Sequence, residues 1–314
     1  MTWCSSMNKG QLSNIDIKTA VIGVDGFLGA AFYSFYRRRS MDIIGTSYKG
    51  PSGGLMSLDM RRPEIAPLKL SKKGYRDALI LAARSNIGDC EKNRDETRLV
   101  NVTGTLELVR QLVKEGVRPV FFSSDHVFDG EKGGYSDNAA TNPVTEYGRQ
   151  KAEVEAELPG ICGKEYLIVR LSKVFGLMKN DGTLLDEMAD IFAGGGEVMA
   201  AFDQIFSPTF VLDVVGNVTL LQRSGLTGAV NVCPREAWSR YDLAIKLAAL
   251  MGIPAHKVRK VAMEEVYKGQ VRPKNTSMVP ERLGREDGAS FKPMKECLNV
   301  VAENWNDADI IRNN

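Results

Sequence analysis

The chain has 314 residues, a length suited to one large α/β unit or to two lobes of a single enzyme. Its 41 basic and 39 acidic residues leave a net charge of +2 and are interspersed, so no basic block marks a nucleic-acid partner. Five scattered cysteines without a CxxC pair read as reduced thiols rather than a disulfide framework or zinc site, so no metal is expected; no stretch nears the roughly 20 apolar residues that span a bilayer.

Residues 1–17 read as an N-terminal extension without an apolar run of signal-peptide length, and the protein is expected to be soluble and cytoplasmic. The first strand is expected at residues 19–22, ending in Gly23-Val24-Asp25-Gly26-Phe27-Leu28-Gly29. Glycines at three-residue spacing, where a strand becomes a helix, permit a tight turn and close approach of a pyrophosphate, whose charge the helix N-terminus favours. The pattern sets Gly23, Gly26, Phe27, Leu28 and Gly29 against a dinucleotide, with a purely structural turn as the alternative.

A helix over residues 27–38 and a strand over 43–47 follow. An NAD site usually carries an acid at the end of this second strand, for the ribose 2′-hydroxyl. Here Ser47-Tyr48-Lys49 offers a hydroxyl and a cation. Ser47 and Lys49 are therefore candidates for a 2′-phosphate, favouring NADPH with NADH still open, and a solvated loop lysine is the competing reading.

Further strands are expected at residues 78–82, 119–123 and 166–171, with helices at 96–115 and 145–158. Nearly continuous apolar strands alternating with helices predict a doubly wound parallel sheet of Rossmann type. Residues 18–176 read mainly as the dinucleotide-binding lobe. After 176 the pattern turns to loops and amphipathic segments such as 184–193 and 240–251, so 177–314 read mainly as a smaller C-terminal substrate lobe. That boundary is soft, because later strands can return to the sheet.

The strand at 119–123 runs into Ser123-Ser124-Asp125-His126-Val127-Phe128-Asp129-Gly130, and the next helix opens with Glu146-Tyr147-Gly148-Arg149-Gln150-Lys151. Tyr147 and Lys151, four residues apart, share a helical face, and no other of the nine tyrosines stands four before a lysine. Lys151 is expected to hold a nicotinamide ribose and to lower the Tyr147 pKa. Ser124 would hydrogen-bond a substrate carbonyl as negative charge develops there, and Tyr147 would donate the proton while the cofactor supplies hydride.

The glycine turn, the Ser-Ser-Asp-x-Val-Phe-Asp-Gly segment and Tyr147-Gly148-x-x-Lys151 together resemble the extended short-chain dehydrogenase/reductase family. Within it the chain is most similar to the dTDP-4-dehydrorhamnose reductase group. Cys90-Glu91-Lys92-Asn93, Asn101-Val102-Thr103-Gly104-Thr105, Val169-Arg170-Leu171-Ser172, Ser207-Pro208-Thr209 with Asp213, and Arg272-Pro273-Lys274-Asn275-Thr276-Ser277 extend the resemblance from about residue 18 to 300.

The resemblance implies NADPH-dependent reduction of the ketone of a nucleotide-linked 4-keto-6-deoxysugar, and it allows a homodimer. It sets Ala82, Ala83 and Arg84 along the cofactor, Asp59 near the adenine and Val174 near the nicotinamide, with Asn101 at a further matching position. Ser124, Asp125, His126 and Lys173 would face the sugar. His126 stands where the group usually has Tyr, and Lys173 where it often has Trp, which favours a more polar or anionic sugar. Two other readings stay open. One is a non-catalytic regulatory subunit similar to the methionine adenosyltransferase beta subunit; the other is a sugar-nucleotide epimerase or dehydratase, although Asp125 is followed by His126 rather than the Glu of dehydratases.

Overall fold

A computed structural model describes residues 17–51 and 53–312, with side chains through Trp305; apart from Ile17, the expected N-terminal extension lies outside the described residues. β1 (Thr19–Ile22) passes through the glycine turn into α1 (Phe27–Arg38), followed by β2 (Ile43–Ser47) and the short β3 (Met56–Ser57). β4 (Asp77–Ile80) precedes α2 (Ile87–Lys92), α3 (Arg94–Arg98), a π-helical turn over Leu99–Gly104, and α4 (Thr105–Lys114). β5 (Arg118–Ser124), α5 (Glu146–Cys162) and β6 (Leu167–Leu171) come next. β7 (Val174–Phe175), α6 (Leu184–Ala193), β8 (Val198–Ala201), β9 (Ile205–Phe206) and β10 (Thr209–Phe210) lead to α7 (Val211–Ser224) and β11 (Gly228–Asn231). Last are β12 (Trp238–Ser239), α8 (Arg240–Leu250), β13 (Val258–Val261), α9 (Met263–Val266) and α10 (Met294–Arg312).

Seven strands form one sheet in the order β11-β6-β5-β4-β1-β2-β3, with every pairing parallel. This is a doubly wound Rossmann-type sheet. The order reverses between β1 and β4, so the helices after these strands leave on opposite faces and a crevice opens at the carboxyl ends. One sheet member, β11, comes from the second half of the chain.

Period-two alternation within β1 explains why both faces are filled. Ile22, Ile80, Phe121 and Ile168 face a core under α4 and α5 that includes Leu108, Leu112, Val154 and Leu158. Val21, Leu79, Val120 and Val169 face the other core, with Phe32 and Tyr36 of α1 and Val214 and Val218 of α7. Beyond the sheet, α6, α8 and α10 bury Leu185, Met188, Leu243, Leu247, Leu298 and Val301 together, beside the parallel pair β8 and β13.

The single helix expected over residues 96–115 is instead α3, the π-helical turn and α4. At Gly104 a Cβ would lie 1.6 Å from the Met60 carbonyl oxygen, so the helix can pass the chain after β3 only with glycine there. The extra residue of a π turn shifts the facing of the preceding side chains. Here it buries Asn101.

Candidate active site

The turn after β1 depends on glycine at two positions for different reasons. Gly23 takes φ +96°, and a Cβ there would sit 2.7 Å from the Ala82 backbone nitrogen; at Gly29 a Cβ would reach 2.0 Å from the Gly23 carbonyl oxygen. Gly26 is different: its Cβ would meet nothing of the protein nearer than 3.9 Å. Its bare backbone faces the mouth of a cavity of about 400 Å³ lined by Gly23, Asp25, Gly26, Thr46, Tyr48, Leu58, Asp59, Met60, Arg61, Leu81, Ala82, Ala83, Arg84 and Val100. A cavity with a glycine floor at a helix N-terminus fits a dinucleotide pyrophosphate. Phe27 is partly exposed at the start of α1, and its ring tip would lie 3.2 Å from a Cβ at Gly176, whereas Leu28 packs into the core.

Ala82, Ala83 and Arg84 line this cavity as a wall beside the glycine turn. Asn101 holds the wall: its Oδ1 accepts from the Arg84 N–H and its Nδ2 donates to the Arg84 carbonyl, both at 2.8 Å. The same amide group donates to Gln150 on α5 at 2.8 Å. Asn101 therefore ties the cavity wall to the helix bearing Tyr147 and Lys151. Val174 is half-buried in β7 beside β10 and does not line this cavity, nor do Tyr147 and Lys151.

At the end of β2 the structure departs from the expected phosphate ligands. Ser47 is buried, its hydroxyl donates to Asp25 Oδ1 at 2.8 Å, and its oxygen accepts the Lys49 N–H at 3.0 Å. The hydroxyl proton is thus already engaged, because a carboxylate can only accept. Lys49 does not line the cavity. Two cations do, Arg84 from the wall and Arg61 from the chain after β3, and of these Arg61 was not among the expected ligands. Asp59, assigned to the adenine side, chelates Arg61 through contacts of 2.6–3.0 Å and lowers its own pKa by doing so. No local signal marks Arg61, since its placement depends on β3 pairing parallel to β2 and carrying the following residues past Tyr48.

Ser124, Tyr147 and Lys151 converge at the carboxyl end of β5. Gly148 allows this: a Cβ there would lie 2.0 Å from the His126 carbonyl oxygen, so the first turn of α5 can press against the Ser124 turn. Thr145 caps the helix through the Gly148 N–H at 3.1 Å. Lys151 is buried, donates to the Phe122 carbonyl at 2.8 Å, and lies 5.8 Å from the centre of the Tyr147 ring. Burial pulls its pKa down to about 8, against the opposing charges of Glu155 and Cys90.

The Tyr147 phenol shifts the other way from expectation. Burial raises it first, then the carboxylate of Asp125 and the thiol of Cys90, while its hydrogen-bond interaction with Ser124 opposes them. Tyr147 is therefore held toward its protonated form, with burial dominating its acidity. The Ser124 hydroxyl donates to Asp125 Oδ1 at 3.0 Å and accepts the His126 N–H at 3.2 Å. Asp125 Oδ2 accepts from Ser172 at 2.9 Å and Thr276 at 2.6 Å. Asp125 thus organises the turn, its carboxylate accepting three hydroxyls.

On the substrate side, His126 sits edge-on to Tyr147 at 6.1 Å between ring centres, with its buried Nδ1 unpartnered. Burial above all holds its imidazole pKa below the ordinary range, with Arg272 and Lys173 adding to the effect and Asp125 opposing it. Lys173 is exposed. Arg272 lies over the Tyr267 ring at 4.2 Å, and both Arg272 and Arg240 keep a buried Nε without a partner. Burial first and the charge of Arg240 next depress the Arg272 pKa, while Tyr267 and Glu91 oppose. Arg240 carried no sequence signal, because only the fold brings the start of α8 beside the loop before Thr276. Among the described residues no group of three or more His, Cys, Asp or Glu is placed to hold a metal ion, and no helix is long and apolar enough to cross a membrane.

The chain is similar to several known proteins. The chain is 28% identical over 196 residues to the dTDP-4-keto-6-deoxy-D-glucose reductase of Streptomyces niveus, covering 62% of this chain and 67% of that protein. It is 25% identical over 262 residues to methionine adenosyltransferase 2 subunit beta of Xenopus tropicalis, covering 79% of this chain and 76% of the other. The crystal structure of dTDP-4-dehydrorhamnose reductase from Bacillus anthracis in complex with NADP superimposes with a TM-score of 0.79 at 23% identity, over 90% of this chain and 98% of that one, a likeness of fold. The family model described as the RmlD substrate binding domain matches residues 17–306, and the chain belongs to that family.

Proposed function

We propose that the protein is an NADPH-dependent oxidoreductase that reduces the ketone of a nucleotide-linked 4-keto-6-deoxysugar, with Tyr147 as proton donor. The observation that carries this reading is the convergence of Ser124, Tyr147 and Lys151 at the sheet edge beside a glycine-floored cavity. Gly23, Gly26 and the Ala82–Arg84 wall would hold the dinucleotide, which would supply hydride to the carbonyl carbon. Tyr147 gives its proton to the carbonyl oxygen, so the ketone becomes a secondary alcohol and the phenol a phenolate. The Lys151 ammonium stabilises that phenolate, which solvent reprotonates. Ser124, held by Asp125 and by the His126 N–H, fixes the position of the phenol oxygen.

The unpartnered Nε groups of Arg240 and Arg272 suit the negative charge of a nucleotide sugar. Lys173 and His126 stand at the same side and favour a sugar more polar than an unsubstituted 6-deoxyhexose. The test is NADPH consumption by purified protein with a panel of keto-sugar nucleotides, with the alcohol identified as product. Oxidation of NADPH by one member supports the reading. No turnover together with tight binding to a methionine adenosyltransferase would replace it with the regulatory-subunit reading, which the resemblance to the beta subunit favours.

A further inference from the structure

The cavity carries an unusual charge arrangement at its outer end. Asp25 lines it from the glycine turn, and its carboxylate accepts the Ser47 hydroxyl at 2.8 Å and the Tyr48 N–H at 2.7 Å. Asp59 lines it from the chain after β3. Two carboxylates therefore face the end of the crevice where β2 terminates, the place where open α/β sheets receive the adenosine ribose. A 2′-hydroxyl can donate to such groups; a 2′-phosphate is repelled by them.

One cation lining the cavity answers that repulsion at this end. Arg61 spans from Asp59 to Tyr48: its guanidinium chelates Asp59, its Nη2 donates to the Tyr48 hydroxyl at 3.1 Å, and its Cζ stands 5.5 Å from the centre of the Tyr48 ring. The Arg61 side chain is 52% exposed, so the Asp59 pair is a solvent-screened one that a stronger anion can displace. The exposed ring of Tyr48 supplies a flat surface that keeps the guanidinium at the cavity mouth. Ser47 and Lys49 do not offer the same service. The first has its proton on Asp25, and the second lies off the cavity with its backbone N–H on Ser47.

We propose that Arg61, laid across Tyr48 and exchanged from Asp59, is the residue that selects the 2′-phosphate of the dinucleotide, and that Asp25 and Asp59 set the opposing preference for a 2′-hydroxyl. The planar fork of Arg61 matches phosphate oxygens as it now matches the carboxylate. The inference rests on the dinucleotide reading of the cavity and adds which residues decide between its two forms.

The experiment is equilibrium titration of the full chain with NADPH and with NADH, followed by nucleotide fluorescence and calorimetry, without any sugar substrate. Arg61→Ala should weaken NADPH about tenfold or more and leave NADH within about twofold, because a phosphate loses its fork and a hydroxyl does not. Arg61→Lys should recover part of the loss, since charge returns without the bidentate geometry. Asp59→Asn should tighten NADPH severalfold by freeing Arg61. Equal losses for both nucleotides in Arg61→Ala would overturn the assignment, as would an NADPH-specific loss in Lys49→Ala with none in Arg61→Ala. Discrimination by Arg61 in a protein that turns over no keto-sugar leaves the inference standing and removes the reductase reading; binding of neither nucleotide by the unaltered chain removes both.

Discussion

Asp125 Oδ2 accepts the Thr276 hydroxyl at 2.6 Å, which fastens the Ser124 turn at the sheet edge to a segment far downstream that also carries Arg272. The bond spans the two halves of the chain directly behind the proposed reacting groups. Thr276→Val keeps the shape and removes only the hydroxyl. Stability should fall by about 1 kcal/mol, the usual net worth of one buried hydrogen bond, because Asp125 retains Ser124 and Ser172. The sugar-nucleotide KM should rise while NADPH affinity holds. Denaturant unfolding and steady-state kinetics measure the two effects, and an unchanged KM would detach the Arg272 segment from Asp125.

Removing the Tyr147 hydroxyl should lower turnover by about a hundredfold or more without altering dinucleotide affinity, as expected for loss of a positioned general acid. Ser124→Ala should cost less, since its oxygen positions the phenol and its proton already points to Asp125. A Ser124→Ala defect as large as that of Tyr147→Phe would return Ser124 to the role of direct donor to the carbonyl.

The pH profile follows from Lys151. Its pKa in the fold is about 8, below the ordinary lysine value, so the ammonium is present below that point and is lost as pH rises through it. Tyr147 stays protonated across the same window because its own pKa is raised. Accordingly kcat/KM should fall above about pH 8, and Lys151→Met should be slow and flat there. A wild-type profile still level at pH 10 would mean that the charge of Lys151 is not required.

Much of the sheet is legible in the sequence because buried parallel strands are written as local apolar runs. β1, β2 and α1 fall at the expected residues, and Ser124, Tyr147 and Lys151 come together because the strand end and the helix start are each locally encoded. What stays hidden is set by partners remote in sequence. The π-helical turn at Leu99–Gly104 answers the carbonyl of Met60, and Ser47 is drawn away from a ligand by Asp25. Arg61, Arg240 and Arg272 enter their sites from loops whose positions only the closed fold defines. The direction of the Tyr147 pKa is hidden for a related reason: spacing reveals its neighbour Lys151, whereas burial and the Asp125 carboxylate dominate.

The glycine turn offers a test that separates folding from binding within one motif. At Gly29 an added Cβ would sit 2.0 Å from the Gly23 carbonyl oxygen, a backbone clash that no side-chain rotation relieves, so Gly29→Ala should destabilise or misfold the chain. At Gly26 the backbone is at φ −84°, within reach of any residue, and the nearest protein atom to a new Cβ is 3.9 Å away. Gly26→Ala should therefore fold with a melting temperature close to that of the unaltered protein. Its Cβ instead occupies the floor on which the pyrophosphate must rest, and dinucleotide affinity should drop by about tenfold or more. Thermal unfolding paired with nucleotide titration distinguishes the two glycines; a Gly26→Ala protein that binds NADPH normally would show that the pyrophosphate does not lie on this turn.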